Sequence, residues 1–240
     1  MVTMLANALP AAERFDQHIL FYSGCVFSTI VGAIAGATAS TRVHMDLIGI
    51  IVCGTIASLG GGTVRDILLQ GYTWEDGSPV KIYWLTATDV QFLYQALITS
   101  LVVFYISRFW RIPVGTIRVA DAFSMAFFTI LGAAKSYHLG CSWAVCIAMG
   151  VCTGVAGGIL RDVLTGNVPY VFRSKEVYAS AAFAGAALYV LLQHLGIPEV
   201  WGYAAGVAAA FGVRMIAVYM NWRLPSYRSL LETVRNTDHD

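Results

Sequence analysis

The octet Gly61-Gly62-Thr63-Val64-Arg65-Asp66-Ile67-Leu68 returns as Gly157-Gly158-Ile159-Leu160-Arg161-Asp162-Val163-Leu164, 96 residues further along the chain. Other glycines keep the same offset, Gly36 with Gly132 and Gly54 with Gly150. A match that extends over two consecutive apolar runs in each half marks an internal duplication. Reading from charge to charge gives seven apolar spans, near 19–41, 45–64, 90–107, 120–137, 141–160, 176–194 and 198–220. Each approaches the roughly 20 residues an α-helix needs to cross a bilayer core. Three spans separate equivalent points of the two copies, and an odd number of crossings reverses direction, so the halves are inserted upside down relative to each other. The predicted fold is an all-α integral membrane protein of seven transmembrane helices. Residues 18–110 form the first three-helix repeat, 118–195 the second, inverted one, and 198–222 a seventh helix outside the repeat. A polar tail, 223–240, completes a single membrane domain spanning 1–240.

Composition agrees with lipid as the solvent. Hydrophobic residues make up 58% of the chain and charged ones 12%, with a mean hydropathy of +0.67, against about 25% charged in an ordinary soluble domain. Lipid offers the backbone no hydrogen-bond partners, and these runs are far longer than the alternating strands of a membrane barrel. A net charge of +1, with the basic residues scattered among short loops, excludes nucleic-acid binding. Cys25, Cys53, Cys141, Cys146 and Cys152 lie in apolar stretches without the spacing of zinc or redox motifs and read as small buried hydrophobes. Residues 1–17 lack the basic segment, apolar stretch and cleavage site of a removable signal peptide. There is no nucleophile with its base, no dinucleotide fingerprint, and no Lys-Ser/Thr after Gly60-Gly61-Gly62 to make a phosphate loop. No enzyme and no cofactor are implied, and His138 and His194 show no metal-ligand spacing. One set of loops collects Arg42, Arg108, Arg111, Arg118, Arg173, Lys175, Arg223, Arg228 and Arg235, the other chiefly Arg14 and Lys81. This bias predicts a cytoplasmic C-terminus and an outward-facing N-terminus.

In each half an apolar helix runs into glycines, Gly60, Gly61 and Gly62 in the first and Gly154, Gly157 and Gly158 in the second, which weaken a helix there. Arg65-Asp66 and Arg161-Asp162 follow directly. A helix break at these points leaves free carbonyls beside an acid and a base at membrane depth, tolerated only against protein or a water-filled cavity. Two such copies, related by a pseudo-twofold axis in the membrane plane, are expected to meet near the midplane, where inverted-repeat proteins place their ion and substrate sites. The competing reading is that the glycines only let helices approach closely while each Arg pairs with its neighbouring Asp; the duplication favours a polar pathway. Asp121 and Lys135 stand about four turns apart on span four and cannot touch, so each needs another partner. Lys135 either snorkels to the turn at His138-Leu139-Gly140 or serves as a pore-lining or gating cation. Arg214, inside span seven, is a candidate counter-charge for Asp66 or Asp162. Arg42, His44 and Asp46 read as solvated residues of the first turn.

The two GG-x-x-RD elements, the Gly166-Asn167-Val168-Pro169 turn and the stretch from Asp121-Ala122-Phe123 to Gly132-Ala133-Ala134-Lys135 resemble the prokaryotic branch of the trimeric intracellular cation channel family. That resemblance implies a homotrimer in the lipids of a prokaryotic plasma membrane. It also implies one hourglass pore per protomer, lined by helices two and five kinked at Gly60–Gly62 and Gly157–Gly158, conducting potassium and sodium. The only ligands it implies are those ions and bound lipid. The chain departs from the animal members in lacking their lysine beside the paired glycines, where Leu59 and Ala156 stand instead, so control attached to that lysine does not carry over. Some bacterial members of the wider family are associated with glycine uptake, which makes a secondary transporter of glycine or another small zwitterion the alternative. An Arg–Asp pair suits a zwitterion as well as a cation. A scaffold without flux is disfavoured, because an uncompensated charge at the midplane costs roughly 2.5 kcal/mol or more.

Overall fold

A computed structural model describes residues 11–74, 77–109, 113–172, 177–220 and 222. The tail 223–240 and the loop cations Arg111, Arg173 and Lys175 lie outside these residues. Seven α-helices occur among them: α1 (Ala11–Arg42), α2 (Leu47–Leu68), α3 (Gln91–Ser107), α4 (Val114–His138), α5 (Trp143–Leu164), α6 (Ala179–His194) and α7 (Glu199–Tyr219). Two single-turn 3-10 helices, Tyr83–Leu85 and Tyr170–Phe172, follow α2 and α5, and one isolated bridge joins Thr73 to Pro79. Helices α1, α2, α4, α5 and α7 contain stretches long and apolar enough to cross a membrane, while α3 and α6, the third helix of each repeat, are shorter at 17 and 16 residues. α4 starts at Val114, ahead of its apolar span, because a charge such as Arg118 ends an apolar run without ending a helix.

Local chemistry sets the helix ends. Asp46 is a helix cap, its carboxylate accepting from the Gly49 backbone N–H at 2.7 Å and satisfying one of the donors that the first turn leaves open. Gly140, Gly166 and Gly196 follow α4, α5 and α6 with φ near +70°. After α5 the Asn167 N–H donates to the Asp162 carbonyl at 2.8 Å, the bond that stops a helix at a left-handed glycine. Successive helices run antiparallel, joined by short turns after α1, α4 and α6 and by longer loops after α2 and α5. The C-terminal ends of α1, α3, α5 and α7 share one face, here the Arg42 face, with the N-terminal ends of α2, α4 and α6. The C-terminal ends of α2 and α4 define the opposite, Lys135 face.

Contacts are exchanged between the halves as a pseudo-twofold axis requires. A β-carbon on Gly61 would overlap the Thr153 carbonyl oxygen and one on Gly157 the Ala57 carbonyl oxygen, and the repeat offset exchanges these two contacts, Gly61 with Gly157 and Ala57 with Thr153. Gly36 of α1 lies against α2, its missing β-carbon 2.9 Å from the Cys53 oxygen, as Gly132 of α4 lies against α5, 2.8 Å from the Met149 oxygen. The equivalent residues Ser28 and Ser124 meet each other, the Ser124 hydroxyl donating to the Ser28 carbonyl at 3.5 Å. With lipid outside, close dispersion contact between small residues holds such helices together, since burying apolar surface gains nothing there. α7 packs on α4 and α6 and is tied to them through Glu199, which bonds His138 at 2.7 Å and accepts from the Tyr189 hydroxyl at 3.2 Å.

The helix breaks expected at Gly60–Gly62 and Gly157–Gly158 do not occur. α2 and α5 pass through these residues as continuous helices. The missing side chains of Gly61 and Gly157 admit the backbone of the crossing helix, so their role is close approach.

Candidate functional site

The last turn of α2 carries Arg65 and Asp66 inward. Asp66 is fully buried and accepts from three donors. Arg65 Nε reaches Oδ1 at 2.8 Å, Lys135 Nζ from α4 reaches the same oxygen at 2.6 Å, and the Tyr83 backbone N–H reaches Oδ2 at 3.0 Å. Lys135 is 2% exposed, so it does not snorkel to the turn beyond it: a carboxylate within reach satisfies its charge inside the bundle. The Arg65 guanidinium lies 5.9 Å from the centroid of the Tyr83 ring, and that ring packs on Gly62. Buried Asp89 completes the acidic groups whose field reaches Lys135.

The last turn of α5 repeats the design on the Arg42 face. Arg161 pairs with Asp162 at 2.8 Å, and Asp162 Oδ2 accepts from the Tyr170 N–H at 2.8 Å. The Arg161 guanidinium stands 5.8 Å from the Tyr170 ring centroid and its Nη1 donates to Asp121 Oδ1 of α4. Tyr178, at the start of α6, places its hydroxyl 3.2 Å from where a β-carbon on Gly158 would be. Arg214 of α7 sits over the Tyr178 ring at 5.0 Å. Arg214 therefore joins the second cluster, through an aromatic face, on the side of the membrane opposite Asp66.

The two Arg–Asp pairs do not meet at the midplane. Asp121 and Lys135 mark the two clusters along one continuous helix and are fourteen residues apart, about 21 Å at 1.5 Å per residue. Each pair lies beyond the crossing point on antiparallel helices, so the pairs diverge to opposite faces and the glycines meet between them. Tyr83 and Tyr170, which hold the two aspartates, escaped the repeat comparison. Tyr83 stands 17 residues after Asp66 and Tyr170 only 8 after Asp162, so a fixed offset cannot align them. The signal was an aromatic cluster in each loop, Tyr83-Trp84 and Tyr170-Val171-Phe172.

Two cavities lie along the crossing. An open vestibule of about 260 Å³ on the Arg42 face is lined by Arg42, Arg118, Asp121, Arg161, Asp162 and Tyr170, among others. Deeper, a cavity of about 20 Å³ is bounded by Gly61, Gly157 and Gly158, by Ser58, Ser124 and Thr153, and again by Asp121 and Arg161. That is room for about one water molecule. The three hydroxyls have committed their protons to backbone carbonyls, Ser58 to Thr29 at 2.8 Å, Thr153 to Met149 at 2.6 Å and Ser124 to Ser28 at 3.5 Å. They are left with oxygen lone pairs to offer.

A family model described as a glycine transporter matches residues 25–108 and 118–194. A UPF0126 membrane protein of Vibrio cholerae is 31% identical over 228 residues, 95% of this chain and 90% of its own. The UPF0126 inner membrane protein YadS of Escherichia coli is 30% identical, over 87% of this chain and 97% of its own. The chain belongs to the UPF0126 family. Among solved structures, the trimeric intracellular cation (TRIC) channel orthologue from Rhodobacter sphaeroides overlays this UPF0126 chain with a TM-score of 0.76 at 29% identity, covering 85% of this chain and 100% of that one. A second structure, reported for conductance through TRIC cation channels, gives 0.73 at 27% identity over 87% of this chain and 97% of its own. The resemblance carried by the two GG-x-x-RD elements thus holds at the level of family and fold, and this UPF0126 protein is a multi-pass membrane protein with the TRIC architecture.

Proposed function

We propose that this UPF0126 protein is a monovalent cation channel of the plasma membrane, conducting potassium and sodium through one pore per protomer at the α2–α5 crossing. It acts as a homotrimer without enzymatic chemistry, its C-terminus in the cytoplasm. The observation that carries the reading is the inner cavity, where Ser58, Ser124 and Thr153 present acceptors and which is reached past Asp121 and Asp162, the two carboxylates that neutralise Arg161. Oxygen acceptors with nearby carboxylates suit a partly dehydrated cation and repel an anion, while weak neutral ligands let the ion leave again. The fold shared with proteins named cation channels supports the same conclusion, and the name of the Escherichia coli relative supports the inner membrane.

A second reading rests on the description of the family model and on the vestibule, which sets guanidinium groups of Arg42 and Arg118 beside carboxylates and so can receive a zwitterion. The inner cavity is too small for glycine, so that reading requires alternating access around the crossing. Purified protein in liposomes separates the two. A channel gives potassium efflux under an imposed potential that does not saturate with concentration, and Thr153→Val, which removes an acceptor, lowers it severalfold. Saturable uptake of labelled glycine with no ionic current overturns the channel.

A further inference from the structure

Asp121 and Arg161 are the two residues that line both the vestibule and the inner cavity. Their side chains form the partition between them. We propose that the Asp121–Arg161 ion pair is a gate, which closes the inner cavity to the Arg42 face and opens when the pair separates. The proposal rests on the channel reading for its purpose but not for its geometry.

Three observations carry it. Arg161 keeps a second carboxylate, Asp162, at 2.8 Å, and Asp162 is itself held by the Tyr170 N–H. Releasing Asp121 therefore leaves no buried guanidinium without a counter-charge, the state that makes most buried pairs expensive to open. Asp121 is also the more exposed partner, its side chain 12% accessible against 4% for Arg161, so it can turn towards vestibule water, where it becomes an acceptor for an entering cation. Finally, the fold does not require it. Each half needs its Arg, its Asp and the tyrosine that holds the Asp, and in the first half that set stands with Cys25 at the α1 position equivalent to Asp121. An acid added to one half alone, at the boundary of two cavities, makes the two mouths of the path unlike and places control on the Arg42 face.

The test is accessibility of the inner cavity, read without flux. In full-length protein carrying Ser124→Cys, the rate of modification by a small cationic methanethiosulfonate is followed by the mass of the peptide containing position 124. Asp121→Asn is expected to raise that rate at least tenfold and to raise potassium flux in liposomes severalfold, while Asp121→Glu, still able to hold Arg161, raises the modification rate far less. Asp121→Ser provides a second neutral variant. Unchanged modification in the neutral variants overturns the gate, and so does failure of both to give folded protein, since the pair is then structural. Faster modification with no potassium current in any protein leaves the gate standing and removes the channel; a potassium current with modification and flux insensitive to position 121 removes the gate alone.

Discussion

Asp66 takes charge from two cations at once, and the two sides of that arrangement are unequal. Changing Asp66 to Asn leaves Arg65 and Lys135 buried around a neutral group, the kind of loss that costs about 3–5 kcal/mol. Changing Lys135 to Met removes one charged bond but leaves Asp66 with Arg65 and the Tyr83 N–H, a loss of about 1.5–3 kcal/mol. Thermal unfolding in detergent should therefore rank Asp66→Asn well below Lys135→Met, and the reverse order would show that Lys135, not Arg65, is the main counter-charge. The sequence exposed half of this cluster. Arg65 and Asp66 are adjacent and doubled, so their pairing was legible, whereas Lys135 lies 69 residues from its partner on a helix whose first-repeat counterpart has Ala39 at that position. Nothing periodic links the two, and only the packing of α4 on α2 brings them together.

Glycine in a membrane helix has two meanings, and the sequence does not distinguish them. Low helix propensity points to a break at Gly60–Gly62 and Gly157–Gly158, while close packing points to a crossing, and the continuous helices decide for the crossing. The spacing of the glycines was legible because it is repeated; its purpose was not, because it depends on which backbone lies opposite. The distinction has a measurable consequence. Gly61→Ala and Gly157→Ala each drive a β-carbon into a carbonyl of the partner helix, overpacking that costs about 1–3 kcal/mol. Gly212, within α7, has nothing within 4 Å of an added β-carbon, and Ala there gains about 0.5–1 kcal/mol of helix stability. A fall in melting temperature for the first two variants with no fall for Gly212→Ala fits the crossing. Equal effects at all three positions would return the glycines to a role in backbone flexibility. The loops after α2 and α5 show the complementary failure: their tyrosines do the same work, but a difference of nine residues in loop length hides the equivalence.

At the scale of the whole molecule, an inverted repeat has a peculiar relation to its membrane. Turning the bundle over exchanges α1–α3 with α4–α6 and returns nearly the same set of apolar helices at nearly the same depths, so the helices themselves give the inserting chain little reason to prefer one orientation. The decision falls to what the repeat does not duplicate, α7 and the basic residues of the loops. The sequence allots nine loop cations to one side and chiefly Arg14 and Lys81 to the other, a bias that predicts a cytoplasmic position for the first set. Green fluorescent protein fused after Asp240 is accordingly expected to fluoresce and alkaline phosphatase at the same place to be inactive. The sharper expectation concerns weakening the bias. Replacing Arg42, Arg108 and Arg118 by Ala, which keeps the buried Arg–Asp pairs themselves, should produce a mixed population in which the phosphatase fusion gains measurable activity. An ordinary bundle without inverted symmetry resists such a change because its helices and translocated loops are committed to one direction. If the triple variant stays wholly in one orientation, then α7 and its Glu199–His138 tie to α4, rather than loop charge, fix the direction of insertion.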